Sequence, residues 1–176
     1  MIEDRAIWAT AFYAGLRRGE LRALYAEAID LDAGEIHVRA GWDPIEGRQA
    51  TKGRERRVVP IIGELRAILA ADLLRTGRRG TDLAFGATAV SPFCPNALKY
   101  RADRAWKAAG LQRITPHECR HSFASIAIAA GVNIGTVSAA LGHASVTITW
   151  STYHHLLPGT MDQAADLIQA YVSATG

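Results

Sequence analysis

Residues 115–123 read TPHECRHSF and carry the densest chemistry in the chain. His117, Glu118 and His121 fit H-E-x-x-H, in which two histidines on one helix face hold zinc and the glutamate acts as a base. His117 and Arg120 also form H-x-x-R, a histidine and an arginine one helical turn apart, suited to gripping a phosphate. Candidate third zinc ligands are His143, His154 and His155. Against zinc, Arg120 would stand as a fixed cation beside the metal, and no extended metalloprotease signature follows.

Metal-free cleavage of a DNA phosphodiester needs a different set of groups. A nucleophile attacks phosphorus, and arginine forks stabilise the charge on the non-bridging oxygens. A general acid protonates the leaving 5′-oxygen. A tyrosine nucleophile conserves the bond energy in a phosphotyrosine for rejoining. Residues of all these types occur along the chain, five tyrosines among them.

The elements that must position them read as follows. Residues 3–14 form a helix with Ile7, Trp8, Ala11 and Phe12 on one face, broken by Gly15. Residues 19–29 form a second helix with Leu21, Leu24 and Tyr25 inward. Ile36 and Val38 alternate with His37 and Arg39 as a strand, and residues 56–61 make another. The turn-rich stretch between them suits hairpins. Helices then dominate. Thr115, Pro116 and Glu118 mark a helix start, running to Gly131. Asn133 caps the next helix, ending near Gly142. A short helix over residues 145–155 and a closing helix over 162–172 complete the reading. The expectation is α+β: mainly helical, with a small antiparallel sheet at one edge.

At 176 residues, 49% hydrophobic and 21% charged, the chain fits one soluble domain. No apolar run approaches a membrane span, and the N-terminus lacks the signal-peptide pattern. Two cysteines, Cys94 and Cys119, make no disulfide framework, so the cytoplasm is the expected compartment. The net charge is only +3, but basic residues cluster at 52–57, 75–79 and 99–107. Such clusters are the footprint of a polyanion partner. Arg54, Arg56, Arg57, Arg101 and Arg104 are the candidate DNA contacts.

Residues 127–147, with A-G-V before T-V-S, resemble the helix-turn-helix of the lactose-repressor family, although no sugar-binding domain follows. A wider resemblance uses nearly the whole chain. GLRRGELRAL (15–24), ATKGRERRVVPI (50–61), TPHECRHSFAS (115–125), ALGHASVTIT (140–149) and STYHHLLPGT (151–160) resemble, in order, motifs of the tyrosine recombinase, or phage integrase, family. The resemblance implies Arg17 as first arginine supported by Glu20, Lys52 as the hairpin lysine, His117 with Arg120, His143, and Tyr153 as nucleophile. His121 would buttress a neighbour or the core. Cys119 replaces a usual leucine-like residue, and the Tyr153 segment is one residue longer than in many relatives.

The resemblance further implies a site-specific recombinase catalytic domain spanning residues 1–176, without the N-terminal core-binding and arm-binding domains. It would act on a double-stranded DNA recombination site as a homo-tetramer held by exchanged C-terminal segments, and associate with the nucleoid when bound. It would need no metal or other cofactor. A DNA-binding module without chemistry and a zinc hydrolase are the alternatives.

Overall fold

The computed structural model describes residues 4–50, 56–156 and 161–175. Helix α1 (Arg5–Ala14) buries Ala6, Ile7, Ala9, Thr10, Ala11 and Ala14. These small side chains let α3 (Gly63–Thr76) and α5 (Pro116–Ala129) pack directly on it. Gly15 ends α1 at φ +64°, and a Cβ there would lie 2.5 Å from Phe123 Cδ1. Glycine is therefore required both for the left-handed turn and for the approach of α5.

The expected helix over 19–29 is shorter in the structure. Helix α2 (Arg18–Ala23) stops at Leu24, which is extended at ψ 124°, and Ala26–Ala28 form a single 3₁₀ turn. Tertiary hydrogen bonds explain the stop. Ala84 N donates to Leu24 O at 2.8 Å, and Ala26 N donates to Asp82 O at 2.8 Å. The backbone polar groups that would continue the helix are satisfied by the crossing segment instead.

Strands β1 (Ile29–Asp30), β2 (Glu35–Val38) and β5 (Arg57–Pro60) form an antiparallel sheet in the order β1-β2-β5. Ile36 and Val38 face the core, as their alternation predicts, with Ile36 opposite Val59 and Val38 opposite Arg57. Strands β3 (Ala40–Asp43) and β4 (Gly47–Ala50) form a separate hairpin. Lys52 and Arg54 lie outside the described residues. The architecture is thus α+β, mainly helical with a small antiparallel sheet.

Pro95–Ala108 form α4, which Gly110 follows at φ +65°. In α5, Thr115 Oγ1 accepts from Glu118 N at 3.2 Å, and Glu118 Oε2 accepts from Thr115 N at 2.7 Å. This is the capping box the sequence announced. Asn133 caps α6 (Ile134–Leu141), and Gly142 ends it at φ +62°. Helices α7 (Val146–Tyr153) and α8 (Met161–Thr175) follow.

The core has two parts. The larger gathers α1, the three-stranded sheet and α3 around Leu16, Leu21, Ile36, Leu65 and Leu69. The smaller lies among α5, α6 and α7, where Ala124, Ile128, Val137, Leu141 and the Tyr153 ring meet. Phe123 touches both and couples them. Each fully buried Leu or Ile contributes about 1.5–3 kcal/mol. The smaller core fixes the relative positions of α5 and α7, and so of the polar groups at their edge.

Candidate active site

Two arginines are anchored at the C-terminal end of α6. Arg17, the N-cap of α2, donates Nη2 to Gly142 O at 2.8 Å and Nη1 to Glu20 Oε1 at 3.1 Å. Arg120, on the inner face of α5, donates Nη1 to Gly15 O at 2.7 Å and Nη2 to Leu141 O. The carbonyls that end α6 carry partial negative charge and suit cations. Burial, then the charges of Arg17 and Arg57, pull Arg120 down to about 10, so it stays cationic at neutral pH. Arg17 keeps 44% of its side chain exposed and so can reach a ligand.

Glu20 holds the group together from beneath. It is buried, and accepts from Arg57 through two parallel hydrogen bonds of 2.7 and 2.6 Å and from Arg17 N at 2.7 Å. Burial alone would raise its carboxyl. The Arg57 fork and the Arg17 contacts outweigh burial and hold it below the usual carboxylate range.

His143 follows Gly142 and turns back so that Nδ1 meets Thr149 Oγ1 at 2.8 Å. Burial, then Arg120, Arg17 and Arg57, push His143 down to about 4. The ring is neutral at pH 7. Tyr153, the last residue of α7, is 5% exposed, and its hydroxyl meets His121 Nδ1. Burial raises its phenol, an effect that nearby Arg120 opposes. His121 Nε2 in turn lies 2.9 Å from His117 Nε2. Arg17, Arg120, His143, His117 and Tyr153 therefore converge on one edge, built from α2, α5, α7 and the turn after α6.

The candidate DNA contacts divide. Arg57 is corrected: it is buried, forked onto Glu20, and donates Nε to Ala140 O at 2.7 Å. Its place opposite Val38 in the sheet turns its side chain inward, so it supports the site rather than a phosphate. The Arg101 side chain is 44% exposed, and its Nε and Nη2 each donate to Asp4 at 2.7 Å, which ties α4 to the start of α1. Arg56 and Arg104 are exposed, the latter over the Tyr100 ring at 5.8 Å.

Thr149 and His121 are the groups the spacing did not assign to the site. Thr149 is fully buried inside a β-branched run, with nothing in its neighbours to mark it as a histidine partner. His121 had a signal, since it stands at i+4 from His117 and one residue after Arg120. Cys119 is buried in the core with its thiol pushed up to about 11, as suits a small hydrophobe.

The two competing motifs take other roles. Glu118, the base of the zinc reading, is engaged in the capping box, and His121 Nδ1 is engaged by Tyr153. Among the described residues no three His, Cys, Asp or Glu side chains gather as a metal site. In the supposed recognition helix, Val137 and Ser138 are buried against the smaller core, where base edges could not reach them.

Residues 1–159 match the phage integrase family. The chain belongs to that family. It is 26% identical to prophage integrase IntR of Escherichia coli (strain K12), over 97% of this chain and 47% of that protein. It is 33% identical to tyrosine recombinase XerA of Thermococcus kodakarensis (strain ATCC BAA-918 / JCM 12380 / KOD1), over 83% of this chain and 49% of that one. The chain spans about half the length of the curated relatives it matches. The fold is shared with the Tn1549 transposon integrase, solved in complex with a circular intermediate DNA: TM-score 0.73 and 18% identity, over 96% of this chain and 58% of that one. It is shared as well with the catalytic domain of bacteriophage HP1 integrase: TM-score 0.60 and 20% identity, over 94% and 86% of the two chains. This phage integrase fold brings the two arginines, His143 and Tyr153 to one edge. No helix among the described residues is long and apolar enough to cross a membrane.

Proposed function

We propose that this chain is the catalytic domain of a site-specific DNA recombinase that cleaves and rejoins strands through a 3′-phosphotyrosyl intermediate. The observation that carries the reading is the convergence of Arg17, Arg120 and His143 beside the Tyr153 hydroxyl.

The chemistry follows from that geometry. Tyr153 Oη attacks phosphorus, the P–O5′ bond breaks, and a P–O bond to tyrosine replaces it. Arg17 and Arg120 neutralise the two non-bridging oxygens. Their guanidinium planes are pre-set by Glu20 and by the carbonyls of Gly15, Leu141 and Gly142, so little reorganisation accompanies the developing charge. With the Thr149 hydroxyl donating to Nδ1, neutral His143 presents Nε2–H as a further donor. Lys52 is the proposed acid for the leaving 5′-oxygen, and His117 assists at Tyr153. The incoming 5′-hydroxyl of the partner strand reverses the step. No metal or high-energy cofactor enters it.

The substrate is a double-stranded DNA recombination site, with Arg54, Arg56 and Arg104 as further phosphate contacts. The working form is a tetramer on paired sites. Helix α8 exposes Ile168, Tyr171 and Val172, which supports a role for it as an exchanged segment. The compartment is the cytoplasm, with the protein on the nucleoid when bound.

The test is a nicked suicide duplex, drawn from a randomised library by binding, incubated with the protein in EDTA and run on a denaturing gel. A covalent protein–DNA band that vanishes in Tyr153→Phe supports the reading. DNA retention without any band marks a binding module instead.

A further inference from the structure

We propose that His121 is the catalytic proton acceptor for Tyr153 and hands the proton on to His117. The inference rests on Tyr153 being the nucleophile, and it assigns a role to a residue outside the arginine–histidine–tyrosine set.

The three groups form one chain from interior to surface. The Tyr153 ring belongs to the smaller core, and its hydroxyl leaves that core at His121 Nδ1. His121 is half-buried, and its other nitrogen lies 2.9 Å from His117 Nε2. The two rings meet edge to face, with centroids 4.4 Å apart at 87°. His117 is exposed in the first turn of α5. The i, i+4 spacing stacks the two histidines on one helix face, and α7 brings the tyrosine to the inner end of the stack.

Two ring nitrogens at hydrogen-bond distance share a single proton. With Tyr153 Oη–H donating to His121 Nδ1, His121 Nε2–H donates to His117 Nε2, and His117 carries its own proton on Nδ1. The step then balances. As Oη bonds to phosphorus, the O–H bond breaks and Nδ1–H forms on His121. The Nε2–H bond of His121 breaks and Nε2–H forms on His117. The electron pair of the broken P–O bond leaves on the 5′-oxygen, which takes a proton from its general acid. His121 ends neutral in the other tautomer, and the positive charge rests on exposed His117, where water solvates it. Rejoining runs the relay backwards.

The surroundings favour that direction. Burial, then His117 and Arg120, lower His121, while Glu118 opposes them. His143 faces it from the turn after α6, and Tyr153 from α7. On the 3₁₀ turn after α7, His154 stacks on Trp150, and His155 packs edge-on against His154. A lasting cation at His121 is therefore disfavoured, whereas a proton passing through it is not.

Long-range proton–nitrogen NMR of the ¹⁵N-labelled full chain reads the tautomer directly. The expected result is His121 protonated at Nε2, with its Nδ1 resonance moved in Tyr153→Phe. Protonation at Nδ1, or no movement in the variant, overturns the relay. Kinetics supply the second arm. In single-turnover adduct formation on the nicked duplex, His121→Asn is expected to be roughly 10²-fold slower or more. DNA retention and the circular-dichroism spectrum should be unchanged. Placing a difluorinated, more acidic tyrosine at position 153 should narrow that deficit, which a merely structural role for His121 would not allow. A His121→Asn rate equal to wild type, or a deficit the acidic tyrosine leaves untouched, overturns the relay while the nucleophile stands. Failure of the wild-type chain to form any adduct at Tyr153 overturns the nucleophile and the relay together.

Discussion

Arg57 and Glu20 meet fork to fork, Nη1 to Oε1 at 2.7 Å and Nη2 to Oε2 at 2.6 Å, at sites 8% and 4% exposed. The pair joins β5 to α2, and Arg57 Nε extends the link to Ala140 O in α6. Glu20 also holds Arg17 through both its backbone nitrogen and its guanidinium. One buried carboxylate thus fixes the sheet, the first arginine and the helix that ends beside His143.

Removing that carboxylate should cost more than removing the pair. Glu20→Ala leaves Arg57 buried and uncompensated, a loss of about 3–5 kcal/mol. Urea denaturation should show this as a lower midpoint with an unchanged slope. The double variant Glu20→Leu, Arg57→Met should recover much of the stability, because no buried charge is left unpaired. It should not recover adduct formation, since Arg17 loses its support.

Gly142 has no room for a side chain. A Cβ there would fall 2.9 Å from Arg57 Nη1 and 3.2 Å from its Cδ, at φ +62°. Gly142→Ala should cost roughly 1–2 kcal/mol in backbone strain, a fall in Tm of roughly 2–8 °C. Adduct formation should fall further than the lost stability explains, because the same turn carries the carbonyl that anchors Arg17 and places His143. A variant whose loss of activity merely tracks its unfolding would contradict this.

His143 makes stability pH-dependent. Unfolded, it takes up a proton near pH 6.5, and folded at about 4. Between those values the unfolded chain binds more protons, so stability rises with pH. This contribution is complete above pH 6.5 and is lost as pH falls towards 4. Glu20, also held down, acts in the same direction but below its ordinary 4.5. Denaturation midpoints between pH 7 and 5 should therefore fall less steeply in His143→Gln than in wild type.

Much of this was legible in the sequence because it is written in local chemistry. Thr115 and Glu118 announce a capping box, Gly15 and Gly142 announce left-handed turns, and Ile36 with Val38 announce an inward strand face. Where tertiary contacts override local preference, the reading failed. Helix α2 stops early because residues 82–84 capture its backbone. Arg57 sits in a basic run that reads as a DNA contact, and only the sheet register turns it inward to Glu20. The pairing of Arg101 with Asp4, 97 residues earlier, has no local signal either. Thr149, on α7, acts on His143 in the turn before it, and His121 acts through Tyr153, which α7 brings from 32 residues along the chain.

The most direct measurement is mass spectrometry of the trapped protein–DNA adduct after proteolysis and nuclease digestion. The nucleotide remnant should lie on the peptide containing Tyr153, as an acid-stable phosphotyrosyl ester absent from Tyr153→Phe. A remnant on Tyr13, Tyr25, Tyr100 or Tyr171, or DNA bound tightly with no remnant on any residue, would contradict the central claim.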